Sequence, residues 1–130
     1  MNKQYRKGRH SITDLQAHLV FVTKYRRMVF SSEGLDVVRD AFEGVAKKMD
    51  FRILECNGEP DHIHLLVEYP PKLSISQLVN HLKGVSSRLY RKQYPSPHQQ
   101  HLWSPSYFAV SCGGAPIETL RQYIQNQKSP

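Results

Sequence analysis

The chain has 130 residues, 39% of them hydrophobic and 22% charged, which is the length and composition of one globular domain and not of a disordered chain. A mean hydropathy of −0.55 and the lack of any apolar run near about 18 residues exclude a membrane helix. No apolar stretch follows a basic start, so no secretory leader is expected, and Cys56 and Cys112 fit free thiols in a reducing cytoplasm better than a disulfide framework or a four-cysteine zinc site. The 18 Lys and Arg against 11 Asp and Glu leave a net charge of +7, an excess that favours a polyanionic partner, above all nucleic acid.

Residues 1–14 read as a basic N-terminal arm and residues 15–130 as a single domain. Met1 to Ser11 carry five basic groups and almost nothing apolar, so a mobile segment that touches phosphates is expected. Ala17 to Thr23 is a β-branched and aromatic run of strand length, apolar on both faces and therefore central in a sheet. It runs into the basic cluster Lys24-Tyr25-Arg26-Arg27. Ser31 and Ser32 offer a helix cap, after which Leu35, Val38, Phe42, Val45, Ala46 and Met49 recur at helical spacing. Phe51 to Cys56 and His62 to Tyr69 read as two strands of a hairpin, with Asn57-Gly58-Glu59-Pro60 as its turn. Ser74-Ile75-Ser76-Gln77 has the form of a capping box. Behind it Ile75, Leu78, Val79, Leu82 and Leu89 make a buried stripe, and Lys83, Ser87 and Arg91 line another face with Arg88 and Lys92 beside them. Pro95 and Pro97 end that helix. A fourth strand is expected from Tyr107 to Cys112, a turn at Gly113-Gly114, and a last helix from Pro116 to about Gln127. The order is βαββαβ plus a terminal helix, an α+β fold with the ferredoxin-like, RRM-like antiparallel sheet and two helices on one face.

In Asp61-His62-Ile63-His64-Leu65-Leu66-Val67 strand alternation sends Ile63, Leu65 and Val67 to one face and both histidines to the other. Side chains two residues apart on a strand sit about 7 Å from each other, a workable spacing for two ligands of one metal ion; two surface histidines on a half-exposed strand have the same spacing. On the terminal helix Leu120, Tyr123, Ile124 and Gln127 share one face. Leu120 and Ile124 can anchor it to a sheet, while Tyr123 is either an ordinary amphipathic anchor or a functional phenol one turn from Gln127.

Together, a His-x-His strand and a tyrosine four residues before a glutamine on a C-terminal helix resemble the single-tyrosine HUH transposases of the insertion-sequence two-hundred/six-hundred-five type. The phrases Lys24-Tyr25-Arg26-Arg27, Leu82-Lys83-Gly84-Val85-Ser86-Ser87-Arg88, Leu102-Trp103-Ser104-Pro105-Ser106-Tyr107-Phe108 and Tyr123-Ile124-Gln125-Asn126-Gln127 are also similar to that family, from about residue 15 to the end. The resemblance implies Tyr123 as nucleophile, His62, His64 and Gln127 as ligands of Mg²⁺ or Mn²⁺, and cleavage and rejoining of single-stranded DNA through a covalent 5′-phosphotyrosine. It also implies subterminal DNA hairpins as partners and a homodimer, in which the tyrosine helix can act in trans. Lys83, Arg88, Arg91 and Lys92 are candidates for hairpin phosphates, and Lys24, Arg26 and Arg27 for a flanking strand. Tyr25 and Trp103 could stack on bases, and Trp103 serves equally well as core. A domesticated relative acting on a cellular hairpin shares all of these features. A non-catalytic RRM-like binder requires stacking aromatics where strand three carries histidines, and a zinc hydrolase lacks a third ligand at recognisable spacing.

Overall fold

A computed structural model describes residues 5–96, 101–111 and 117–126. The elements are β1 (Arg6–Lys7), β2 (Ile12–Thr13), β3 (Gln16–Val22), a 3₁₀ turn at Lys24–Arg26, α1 (Ser32–Met49), β4 (Arg52–Glu59), β5 (His62–Glu68), α2 (Ile75–Gln93), β6 (Phe108–Ser111) and α3 (Ile117–Asn126). Four of the strands form one antiparallel sheet in the order β4-β5-β3-β6, and β1 and β2 form a separate hairpin. The architecture is α+β. Cys112, the Gly113-Gly114 turn, Pro116, the side chain of Leu120 and Gln127 lie outside the described residues.

The caps form as the sequence predicts. Ser31 accepts a hydrogen bond from the Gly34 backbone at the head of α1. At α2 the capping box closes reciprocally: Gln77 N donates to Ser74 Oγ at 3.1 Å and Ser74 N to Gln77 Oε1 at 2.8 Å, satisfying two amides that have no partner within the helix. One face of the sheet presents Ala17, Leu19 and Phe21 from β3 and Ile63, Leu65 and Val67 from β5 to Val38, Phe42 and Val45 of α1 and Leu78, Val79 and Leu82 of α2, all buried. Each such side chain contributes about 1.5–3 kcal/mol when fully withdrawn from water. Trp103 joins this core, its ring centroid 5.8 Å from Phe21, and donates from Nε1 to Ser86 Oγ at 2.9 Å; it is core and not a base-stacking surface.

Three expectations are corrected. The hairpin turn falls at Pro60-Asp61, and Asn57-Gly58-Glu59 belong to β4. Gly58 lies within a strand and beneath α1: a Cβ there would stand 2.6 Å from Leu35 Cδ2, so the leucine side chain would have to shift to admit one. Leu89 is exposed and Tyr90 takes the buried place, its hydroxyl donating to the Val29 carbonyl at 3.2 Å. The basic arm folds into the β1–β2 hairpin and is pinned to the domain at Arg6. Arg6 forks onto Glu68 with Nε–Oε2 and Nη2–Oε1 distances both 2.8 Å, and Arg52 adds a bond of 3.0 Å to the same carboxylate. Glu68 is 2% exposed, so an unpaired charge there would be costly; these bonds, Arg6 first, outweigh burial and hold its carboxyl below the usual range.

Candidate active site

The second face of the sheet carries the candidate chemistry. In register, Val20 lies opposite His64 and Val22 opposite His62, and directly paired antiparallel residues share a face. Alternation along β3 therefore places His18, Val20 and Val22 beside the two histidines, with Phe108 and Val110 of β6 across from Val20 and His18. Tyr123 and Ile124 of α3 pack on Val20 and Val22, and the Tyr123 ring lies 5.1 Å from that of Phe108. The sheet is thus sandwiched, with α1 and α2 on one side and α3 on the other.

Both histidines are half-buried and each is oriented by a neighbour. His62 Nδ1 is 2.8 Å from Asp61 Oδ1, and the other carboxylate oxygen accepts from Arg26 Nε at 3.2 Å. Burial raises the Asp61 pKa, but the hydrogen bonds from His62 and Arg26 outweigh it and the group stays ionised to lower pH than usual. A carboxylate on one ring nitrogen fixes the tautomer and leaves the other nitrogen free as a ligand. His64 Nε2 lies 2.9 Å from His18 Nδ1, with the two rings stacked at 5.1 Å. Burial, then the charge of His18, lower the His64 pKa and keep the ring neutral, the form that binds a metal. Two imidazoles on one face are nitrogen donors of a kind that a divalent ion accepts, although no three His, Cys, Asp or Glu side chains already converge as a cluster among the described residues.

His18 is the residue that sequence reasoning missed. Its signal was present: in Gln16–Val22 it is the single ionisable side chain, at a position where alternation matches β5 once the strands are paired.

The expected DNA contacts divide. Arg88, Arg91 and Lys92 are exposed on α2, on the far side of the sheet from the histidines. Lys24 and Arg27 flank exposed Tyr25 at 5.6 and 5.4 Å from its ring centroid. Tyr25 and Arg26 have φ of 60° and 53°, a left-handed conformation that costs non-glycine residues energy and turns Arg26 back onto Asp61. Lys83 is directed inward, donating to the Ser104 and Ser106 carbonyls at 2.7 and 2.8 Å. An open groove of about 500 Å³ between α1 and α2, lined by Val37, Asp40 and Leu89 among others, lies on the helix side and is separate from this site.

Residues 11–127 match the protein family described as Transposase IS200 like. The chain belongs to this family of transposases. Among relatives of this IS200-like transposase, the ISDra2 transposase TnpA of Deinococcus radiodurans is 30% identical over 128 residues, covering 95% of this chain and 91% of that protein. The transposase for insertion sequence element IS200 of Salmonella typhimurium is 32% identical over 122 residues, covering 91% of this chain and 80% of that one. A crystal structure assigned as a transposase from Deinococcus radiodurans R1 superposes with a TM-score of 0.87 at 31% identity, covering 96% of this chain and 99% of its own. The REP-associated tyrosine transposase, solved bound to a REP hairpin, has a TM-score of 0.60 at 15% identity, covering 98% of this chain and 68% of its own, and shares the fold. No helix among the described residues is long and apolar enough to cross a membrane.

Proposed function

We propose that this IS200-like transposase cleaves and rejoins single-stranded DNA at the ends of an insertion sequence, with Tyr123 as nucleophile and His62, His64 and Gln127 holding Mg²⁺ or Mn²⁺. The observation that carries the reading is the shared face: Tyr123 rests on the two valines that stand opposite His62 and His64 in the sheet. The β4-β5-β3-β6 order supports a ferredoxin-like reading of the sheet, and it makes the histidine strand and the floor beneath the tyrosine helix immediate neighbours.

When bound, the ion supplies Lewis-acid polarisation of the scissile phosphodiester. The protein's own groups do the rest. Asp61 and His18 hold the two imidazoles in place, and α3 presents the phenol. Attack by Tyr123 Oη forms a phosphotyrosine and releases a 3′ hydroxyl, and the reverse attack by another 3′ hydroxyl reseals the strand, since the ester is exchanged and not hydrolysed. A phenol with an ordinary pKa of about 10 costs about 4 kcal/mol to ionise at pH 7, so groups around Oη must offset part of that cost.

Hairpins near the element ends are the proposed recognition feature, with Arg88, Arg91 and Lys92 on the duplex phosphates and Lys24, Arg27 and Tyr25 along a flank. Arg26 and Lys83, occupied by Asp61 and the two serine carbonyls, serve better as internal braces. We place the enzyme in the cytoplasm as a homodimer. Exchange of α3 for the same helix of a second copy would preserve its packing on Val20 and Val22, so trans delivery of the tyrosine needs no new interface chemistry. An RRM-like binder fits less well: the outer face of β3 and β5 carries His18, Val20, Val22, His62, His64 and Leu66, with no aromatic for a base to stack on.

Covalent trapping tests the proposal. Labelled single strands spanning the DNA that flanks the gene, incubated with Mn²⁺ and run on a denaturing gel, should give a shifted band that disappears in Tyr123→Phe and in His64→Ala. Hairpin binding without an adduct in the wild type would refute the catalytic reading.

A further inference from the structure

The segment from Trp103 to Tyr107 is held at Trp103, Ser104 and Ser106. Trp103 bridges to Thr23, Ser104 N donates to the Val22 carbonyl at 2.8 Å, and Lys83 reaches from α2 to the carbonyls of Ser104 and Ser106. The Lys83 ammonium also lies 5.6 and 5.7 Å from the ring centroids of Phe21 and Tyr107, and burial lowers its pKa to about 8. A half-buried cation so engaged acts as a clamp on backbone and is not available to a phosphate. What the clamp holds is Ser106, whose Oγ lies 3.0 Å from Tyr123 Oη and 3.2 Å from Ser104 Oγ.

We propose that Ser106 is a further catalytic residue, its hydroxyl hydrogen-bonding to the attacking phenol oxygen, and that Lys83 is the positioning residue that fixes Ser106 against Tyr123. This rests on the assignment of Tyr123 as nucleophile. As the phenol ionises, Ser106 Oγ–H donates to Oη and stabilises the charge that develops there, while a fixed partner restricts the phenol to one rotamer. Ser106 keeps its own proton throughout. The Oη–P bond forms, the bond from phosphorus to the 3′ oxygen breaks, and the proton lost by the phenol is balanced by the one the 3′ oxygen gains. The contact survives exchange of α3 between subunits, because Ser106 belongs to the body that receives the helix.

The test is the pH profile of adduct formation by the full-length protein with Mn²⁺ and flanking single strands. Ser106→Ala should slow the reaction about tenfold near neutral pH and move the rising limb to higher pH, and Ser106→Thr should restore both. Lys83→Met should slow the reaction in the same sense and lower the urea midpoint, because two serine carbonyls lose their donor, while hairpin affinity stays at the wild-type value. An unchanged profile in Ser106→Ala, or a rate lowered equally at every pH, would overturn the role of Ser106. Persistence of the adduct in Tyr123→Phe would instead overturn the nucleophile assignment itself.

Discussion

Asp61→Asn isolates the support beneath His62. In the wild type the carboxylate accepts two hydrogen bonds, from His62 Nδ1 at 2.8 Å and from Arg26 Nε at 3.2 Å. An asparagine of the same shape offers one oxygen and one amide, so if the oxygen faces His62 the NH₂ must face the Arg26 N–H, donor against donor. Either His62 or Arg26 then loses its partner. Groups that orient a metal-bound imidazole are worth about 10–100-fold in affinity. The lower end applies because one acceptor survives, so a loss of about tenfold, or about 1.4 kcal/mol, is expected. Titration of Mn²⁺ followed by the electron paramagnetic resonance of the free ion measures it directly. Because the loss is in metal binding, saturating Mn²⁺ should bring the adduct rate of Asp61→Asn back close to wild type. A titration superimposable on wild type would refute the reasoning, as would a rate that excess metal does not recover.

Arg6→Ala strips Glu68 of its forked partner and leaves only the more exposed Arg52, so a loss of about 3 kcal/mol is expected, seen as a urea midpoint lower by roughly 1–2 M. The same pair fixes a pH dependence. Because the folded-state pKa of Glu68 is depressed, its contribution is complete above the ordinary value of 4.5 and is lost as pH falls through the lowered one, so Arg6→Ala should flatten the stability profile across that acid window. His18→Ala removes the partner of His64 and should weaken Mn²⁺ binding about tenfold in the same titration; an unchanged affinity would show that the pair is incidental. Neutralising Arg88, Arg91 and Lys92 together should reduce the slope of log affinity for a hairpin oligonucleotide against log salt by up to about 2–3, and no change in slope would mean that these cations face solvent in the complex.

Most of the frame was legible because it depends on local chemistry. Ser74 and Gln77 sit three residues apart whatever the tertiary structure, and the alternation of Ile63, Leu65 and Val67 against His62 and His64 follows from strand geometry alone. Failures came where a distant partner decides. Arg6 looks like one more cation in a basic tail until the fold brings Glu68 to it across 62 residues. Gly58 carries the composition of a turn, and only the fold shows that it lies within β4 beneath the Leu35 side chain. The inward aim of Lys83 is equally hidden, since its acceptors are backbone carbonyls that any sequence would have. His18 stood in plain view, but a lone histidine in an apolar strand has no meaning before the register with β5 is known.

The way α3 is attached has a consequence for motion. Among the described residues its seat is two buried valines and the partly covered Phe108 and Val110, whereas β3 and β5 lie within the main core with zero exposure at Leu19, Phe21, Ile63 and Leu65. The free energy of local opening scales with the apolar surface that must be re-exposed, so the two halves of the chemistry belong to different levels of one exchange hierarchy. Amide protons along His62–Glu68 should exchange only on global unfolding, and those along Arg121–Asn126 through a far cheaper excursion that leaves the sheet intact. On this expectation the histidines are carried by the layer that opens last, and the phenol by a helix that opens and recloses within the lifetime of a single folded molecule.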